Sequence, residues 1–308
     1  MKRCLYLSLL FFAVITAKAS DGNDTQEVIR IKSVKFALPL VEQWISEYAK
    51  VNPDARIVIA DKDTEAEEID IQLLISDVQK ENAYSNQFYS SVGRYAILPI
   101  AGKNNVLLND LNKKKLNSKR LKELFFEKDV LDDDYEPAKD KYNATVYSGY
   151  NSSSVTQPFA LHFGYEPSNL KGKKISGDDI YLINAVQKDN TGVSFNNLNY
   201  IYDLNSRQLK KEIALLPLDL KKEYNEVLAE SNLDKLIGLL EEKGIELIPV
   251  EEIGFVFQNQ VDLQVKNFLQ WVLSEGQTYN HQYGFLNLDE KTLNQQKERI
   301  ETRLLTYN

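Results

Sequence analysis

The clearest pattern of apolar and polar positions lies in residues 29–59 and predicts a strand, a tight loop, a helix and a second strand. At the start of this stretch β-branched residues alternate with charged ones, as in a half-buried strand. Apolar side chains then recur near helical spacing, at Leu40, Val41, Trp44, Ile45 and Tyr48. The helix is expected to end at Asn52-Pro53, because proline has no amide proton and disfavours helix in the residue before it.

Strands and helices are predicted to alternate through the rest of the chain. Predicted strands cover residues 69–77, 94–102, 144–147, 191–195 and 245–258. Predicted helices cover residues 118–128, 159–163, 261–274 and 292–305, together with a helix capped near Ser176, and residues 79–91 are predicted as helix and loop. This alternation is typical of parallel sheets with helices on their faces, so it predicts an α/β fold.

Residues 1–19 have the pattern of a secretory signal peptide. Lys2 and Arg3 precede an apolar run, and an Ala-Lys-Ala cleavage pattern closes the segment. The apolar run is shorter than the ~20 residues that a membrane-spanning helix needs. Cys4, the single cysteine, lies in this segment, so the mature chain is expected to be exported without disulfides or thiolate chemistry.

The composition of the chain indicates how many domains it can form and which classes of partner it can bind. At 43% hydrophobic residues the chain has enough apolar material for a core, and its length suits two domains. The formal net charge is −8, and removal of residues 1–19 takes away three basic residues and no acidic one. An exported protein this acidic is a poor candidate for binding nucleic acid or anionic membranes.

Candidate binding residues lie where predicted strands end. Open α/β sheets bind ligands at the carboxyl ends of their strands, and the free amides of a following helix favour anions. The first such loop contains Lys35 and Phe36, and the strand at residues 69–77 ends in Ser76 and Asp77. Lys35 could bind an anion or pair with Asp77 and fill the site itself, and Asp77 could equally cap the next helix.

A hydroxyl-rich loop, residues 151–156, precedes another predicted helix. It contains Ser153, Ser154 and Thr156. Such a loop can cap the helix or hold an anion, and the two roles are physically compatible.

The residues predict neither an enzyme nor a cofactor or metal. His162 and His281 are far apart and have no cysteine or paired acid at ligand spacing. The sequence also has no nucleophile elbow and no histidine beside a candidate serine. A non-enzymatic binding protein is therefore expected.

Three segments, in the same order, resemble the substrate-binding proteins of bacterial phosphate transporters. The first is the strand, loop and helix of residues 29–59, and the second is IDIQLLISD, which ends in Ser-Asp as in that family. The third and most specific is VKNFLQWVLSEGQTYNHQYGFLNL, with its F-x-x-W and G-Q pattern. The resemblance implies the two-lobed type II periplasmic-binding fold, each lobe a mostly parallel sheet flanked by helices, and a periplasmic location.

The resemblance also implies lobe boundaries and a ligand site. Lobe 1 is expected to comprise residues 20–101 with 251–308, and lobe 2 residues 102–250. The ligand-binding residues that it implies are Lys35, Phe36, Ser76, Asp77, Ser153, Ser154 and Thr156. Lys35 stands where the family has a hydroxyl, and the family's arginine falls on Gly149 or Tyr150.

Two functions follow from the resemblance. The first is an exported solute-binding protein that holds a small inorganic anion, phosphate or a related oxyanion, between two lobes and works with a membrane transporter. The alternative is a binding-fold scaffold or partner subunit of a cell-envelope complex that has lost phosphate binding. Lys35 and the missing arginine favour the alternative, because backbone groups cannot imitate a bidentate guanidinium.

Overall fold

The computed structural model describes residues 28–75, 87–127, 142–150, 153–258 and 262–305, with side chains as far as residue 302. The predicted signal peptide and the predicted site residues Ser76 and Asp77 lie outside these ranges.

The described chain contains eleven strands and ten α-helices. The strands are β1 (Val28–Ser33), β2 (Arg56–Ile59), β3 (Ile71–Ile75), β4 (Gln87–Gly102), β5 (Thr145–Gly149), β6 (Lys173–Ile175), β7 (Gly192–Asn197), β8 (Tyr202–Asp203), β9 (Gln208–Leu209), β10 (Ile213–Leu215) and β11 (Val250–Gln258). The helices are α1 (Leu38–Val51), α2 (Leu108–Lys113), α3 (Ser118–Phe125), α4 (Thr156–His162), α5 (Ile180–Lys188), α6 (Leu198–Ile201), α7 (Lys222–Glu230), α8 (Leu233–Glu242), α9 (Leu263–Val272) and α10 (Glu290–Leu305).

Nine of the strands form one large sheet in the order β2-β1-β3-β11-β4-β7-β5-β6, with β10 added to β4, and β8 pairs with β9 in a separate two-stranded sheet. The first half contains the parallel strands β2-β1-β3, and the second half contains the parallel strands β7-β5-β6. Strands β4, β10 and β11 run antiparallel to their neighbours. The predicted class, an α/β fold with largely parallel sheets flanked by helices, is confirmed.

Strand β4 joins the two halves of the sheet. It is 16 residues long, and its first part pairs with β11 from Gln87 to Ala96. Its last part pairs with β7 on one side, from Ile97 to Ala101, and with β10 on the other. Because one continuous strand belongs to both halves, it fixes the position of each half relative to the other.

The prediction of helix and loop for residues 79–91 is wrong at residues 87–91, which form the start of β4. This segment looks like a loop because it carries Ser90 and Ser91, yet both are buried. Ser90 Oγ donates to Gln296 Oε1 at 3.3 Å, and Ser91 Oγ donates to Glu252 on the neighbouring strand. The two hydroxyls therefore have hydrogen-bond partners that are distant in sequence, and a single sequence does not show these pairings.

The opening unit follows the predicted order, with β1, α1 and β2 in residues 28–59. Trp44 of α1 is fully buried, as predicted, and its indole Nε1 donates to the carbonyl oxygen of Gly276 at 2.9 Å. Trp271 also falls on an apolar helix stripe, which predicts a core position, but it is only partly buried and packs edge-on against Tyr48 at 5.6 Å between ring centroids.

The C-terminal segment packs against the first half of the sheet. Phe268 of α9 contacts the rings of Tyr48 and Phe255 at centroid distances of 5.2 and 6.2 Å. These contacts agree with the expectation that residues 251–308 return to the first lobe, while the lobe boundaries themselves remain a prediction. Within the described ranges, no helix combines the length and apolarity needed to cross a membrane.

The hydrogen bond of Trp44 gives a test of this packing. We expect Trp44→Phe to lower the free energy of unfolding by about 1–3 kcal/mol, because it removes the hydrogen bond to the Gly276 carbonyl and part of a buried side chain. Urea unfolding followed by far-UV circular dichroism measures the loss. The matched control is Val51→Ala at the exposed end of the same helix, with an expected change within about 0.5 kcal/mol. Equal losses in the two variants would contradict the packing described.

Candidate functional site

The loop after β1 is a single turn of 3-10 helix, Lys35–Ala37, that leads into α1. Phe36 in this turn is buried between two rings, with centroids 4.9 Å from Tyr95 and 5.5 Å from Phe285. Its carbonyl oxygen accepts a hydrogen bond from Asn199 Nδ2 at 2.5 Å. Phe36, predicted to bind ligand, therefore serves here as an anchor that ties the first loop to α6.

Lys35 lies at the rim of the cleft between this loop and the start of α5. Its side chain is 70% exposed, and its Nζ lies 3.9 Å from Oδ2 of Asp178. The sequence suggested Asp77 as its partner, a residue outside the described ranges. An ion pair this exposed contributes about 0–1 kcal/mol to stability, so the contact between Lys35 and Asp178 is too weak to hold the two loops together by itself.

The hydroxyl-rich loop after β5 binds a carboxylate of the protein itself. Ser153 Oγ donates to Oδ1 of Asp179 at 2.5 Å, and the amide of Ser154 donates to Oδ2 at 3.0 Å. The hydroxyl of Ser154 donates to the same oxygen, Oδ2. Ser153 and Ser154, two predicted site residues, therefore donate hydrogen bonds to a carboxylate, and this carboxylate is the side chain of Asp179.

Thr156 has a different role from these two serines. Its side chain is fully buried, and its Oγ1 accepts a hydrogen bond from the amide of Gly149 at 2.8 Å. Its own amide donates to Ser153 Oγ at 3.1 Å. Thr156 thus closes the loop onto the end of β5, and it positions Ser153 for Asp179.

Asp179 is 7% exposed, and it is the N-cap residue of α5. Burial raises the pKa of its carboxyl, and the nearby charge of Asp178 adds to this effect, while the donors on Ser153 and Ser154 oppose it. Its backbone carbonyl accepts from Asn196 Nδ2 of β7 at 2.7 Å. Asp179 therefore links the β5 loop, α5 and β7 at one point.

Asp178 is held beside Asp179 by a tyrosine. The hydroxyl of Tyr200 donates to Asp178 Oδ1 at 2.8 Å. Burial, and then the hydrogen bond to Asp178, raise the pKa of Tyr200, which keeps the hydroxyl protonated as a donor. Lys35 from the first half of the sheet and Tyr200 from the second half thus meet at one carboxylate.

A tyrosine on β4 also connects the two loops. Tyr95 packs its ring on Phe36 and donates its hydroxyl to the carbonyl oxygen of Ser154 at 2.8 Å. The structure therefore brings together the predicted residues Lys35, Phe36, Ser153 and Ser154, as the positions of their strand ends suggested.

The position expected for the family's arginine offers no guanidinium. A Cβ added to Gly149 would lie 2.5 Å from Cβ of Ser153, so no side chain fits there unless the loop moves. Tyr150 is 56% exposed. The close approach of β5 to the loop explains why a glycine occupies this position.

Sequence reasoning missed Asp178 and Asp179, the residues that fill the site. The local pattern predicts only a helix capped near Ser176, whereas the N-cap residue of α5 is Asp179. The available signal was a pair of adjacent acids at a helix start in a protein whose predicted anion loop lacked an arginine. The local sequence pattern does not show which loop these acids contact, because the contact between α5 and the loop after β5 forms only in the folded protein.

The two histidines make ordinary structural contacts. His162 Nε2 lies 2.7 Å from the carbonyl oxygen of Glu246, and His281 Nε2 lies 2.7 Å from Glu241 Oε1. Across residues 28–75, 87–127, 142–150, 153–258 and 262–302, no cluster of three or more histidines, cysteines and acids is placed to hold a metal ion.

Two sheet halves joined by β4, with polar loops meeting at the ends of β1 and β5, define the two-lobed type II periplasmic-binding fold. Solved structures with this fold include an ABC-type phosphate transport receptor from Vibrio cholerae, with a TM-score of 0.56 at 12% identity over 84% of this chain and 100% of that one. A protein from Clostridium perfringens, described as a phosphate ABC transporter substrate-binding protein and solved with bound phosphate, has a TM-score of 0.56 at 15% identity, over 85% of this chain and 100% of that one. At these identities the similarity establishes the fold. No protein-family model and no curated protein sequence matches the chain.

Burial of Asp179 predicts a pH dependence. Its folded-state pKa lies above the ordinary value of 3.8, so its contribution to stability is complete below the unfolded pKa and is lost as pH rises through the folded pKa. We expect Asp179→Asn to remove this loss. The free energy of unfolding of the variant should therefore rise relative to the unmutated protein as pH increases from about 4, in urea titrations followed by circular dichroism.

Asp189→Asn is a control of opposite sign. Burial opposes ionisation of Asp189, but hydrogen bonds from Thr191 and Tyr147 outweigh it and lower its pKa from 3.8. Its contribution is therefore present above the unfolded pKa and lost as pH falls through the folded pKa. The same pH trend in both variants would contradict the environment described for Asp179.

Proposed function

We propose that the chain is an exported, non-enzymatic protein with a phosphate-binding-type fold whose cleft holds its own carboxylate in place of a free anion. The observation that carries this proposal is the set of hydrogen bonds from Ser153 and Ser154 to Asp179. These donors belong to the loop that the family resemblance assigns to phosphate. Since Asp179 already uses them, a free anion would have to displace a carboxylate to bind there.

Electrostatics support the same conclusion. A phosphate in this position would lie beside Asp178 as well as Asp179, and like charges at close range disfavour binding. Lys35 brings a cation to the rim, but it already pairs with Asp178. The position expected for the arginine is occupied by Gly149 or by the exposed Tyr150, so no bidentate partner replaces it.

With the cleft closed in this way, the function is that of a partner or scaffold subunit in a cell-envelope complex. The comparison structures are described as components of phosphate ABC transporters, which makes a membrane transporter a candidate for the larger assembly. The predicted signal peptide supports export to the periplasm.

A second candidate function is transport-linked binding of a small oxyanion. It is favoured by the convergence of Lys35 and the two serine hydroxyls on adjacent carboxylates. If the Asp179 side chain rotated away, the same donors would face a free anion. This candidate predicts phosphate binding by the unmutated protein, and the first does not.

Thermal unfolding with and without phosphate separates the two candidates. A micromolar site at ~1 mM phosphate would stabilise the fold by about 4 kcal/mol. In a protein of this size, each kcal/mol of stabilisation raises the unfolding temperature by about 2–4 °C. We expect the unmutated protein to show less than about a third of such a shift, because Asp179 occupies the donors. The full shift would overturn the proposal in favour of the second candidate.

Variants at Asp179 are the matched controls. Asp179→Gly removes the carboxylate and leaves Ser153 and Ser154 with free donors, so phosphate should raise its unfolding temperature more than that of the unmutated protein. Asp179→Asn keeps the shape and one acceptor oxygen, and should remain insensitive to phosphate. A phosphate response in Asp179→Asn equal to that in Asp179→Gly would show that charge alone, and not occupation of the loop, excludes the anion.

A further inference from the structure

Helix α7 packs incompletely against the second half of the sheet. None of its nine residues is buried, although Tyr224, Val227 and Leu228 lie partly buried on the core. An amphipathic helix normally buries its apolar stripe against the neighbouring layer. The apolar side of α7 is therefore not fully packed against the rest of the second half.

A cavity of about 720 Å³ separates α7 from the segment that follows β10. Its floor is made by Leu98, Leu216 and Leu218, which are 1%, 3% and 2% exposed, and Leu228 lines it from α7. Protein interiors are otherwise close-packed, and ligand pockets typically measure about 300–1,000 Å³. The size and apolar floor of this cavity are those of a ligand pocket.

The wall of the cavity carries positive charge and amides. Lys115 and Lys222 line it together with Asn112 and Asn225. Glu226 is the acidic member of the lining, and its Oε1 lies 3.7 Å from Nζ of Lys222. Two lysines and one glutamate leave an excess of positive charge beside an apolar floor, although the whole chain is acidic.

Lys115 belongs to the lysine run at residues 113–115, which the cleft does not use. Its backbone carbonyl accepts a hydrogen bond from Arg120 Nη1 at 2.7 Å, and this contact fixes where its side chain starts. Lys113 in the same run pairs instead with Asp110 at 3.3 Å and does not line the cavity. The two lysines therefore form a matched pair for mutation.

We infer that this cavity binds an amphipathic carboxylate, with its aliphatic chain on the leucine floor and its head group beside Lys115 and Lys222. A neutral apolar molecule would not use the net positive charge of the lining, in which one glutamate faces two lysines, and an inorganic anion would bury none of the leucine surface. The cavity shares no lining residue with the cleft at Asp179, so this site is independent of the function proposed for that cleft.

The test is isothermal titration of the mature protein with dodecanoate below its micelle concentration, with dodecanol as the neutral comparison. We expect saturable binding of dodecanoate and weaker binding of dodecanol. The double variant Lys115→Gln/Lys222→Gln should bind dodecanoate about tenfold more weakly, because it loses two charge contacts. The control Lys113→Gln/Lys119→Gln carries the same charge change outside the cavity and should bind within about twofold of the unmutated protein.

A third variant tests the apolar part of the site. Ala214 lines the cavity, and Ala214→Phe should fill it and abolish binding while circular dichroism shows an intact fold. No saturable binding by the unmutated protein overturns the proposal. An equal loss of dodecanoate affinity in the two double lysine variants would show that binding depends on general charge attraction. Equal affinity for dodecanol and dodecanoate, with no effect of the lysine substitutions, would show that the cavity binds a neutral ligand. Either of these results also overturns it. If Ala214→Phe does not fold, the lysine pair alone decides the outcome.

Discussion

The buried carboxylate of Asp179 is the constraint on which the cleft depends. A charge removed from water needs hydrogen-bond donors, and these come from Ser153 and Ser154 in the loop after β5. The loop is therefore fixed against the start of α5, and Asn196 adds a bond from β7. Asp178 is then held where Lys35 from the other half of the sheet reaches it.

The remaining contacts across the cleft reinforce this arrangement. Tyr95 lies on β4, the strand that both halves share, and it links Phe36 on one side to Ser154 on the other. Asn199 adds a hydrogen bond to the carbonyl of Phe36. The polar groups that meet at the cleft are thus satisfied within the chain. The apolar cavity beneath α7 is separate from this network.

Local pattern predicted much of the fold and part of the site. The β1-α1-β2 unit was predictable because Leu40, Val41 and Trp44 repeat at helical spacing and a proline ends the helix. The convergence of Lys35 with Ser153 and Ser154 followed from their places at strand ends. The start of β4 was missed because Ser90 and Ser91 find partners 161 or more residues away. Asp179 was missed for the same reason, since only tertiary packing shows which donors its carboxylate meets.

The most direct test of the central claim is a crystal structure of the unmutated mature protein grown in phosphate. The account predicts that both oxygens of the Asp179 carboxylate remain within hydrogen-bonding distance of Ser153 and Ser154, and that no phosphate occupies the space between those serines and Lys35. A phosphate bound to the two serine hydroxyls, with the Asp179 side chain rotated out of the loop, would contradict it.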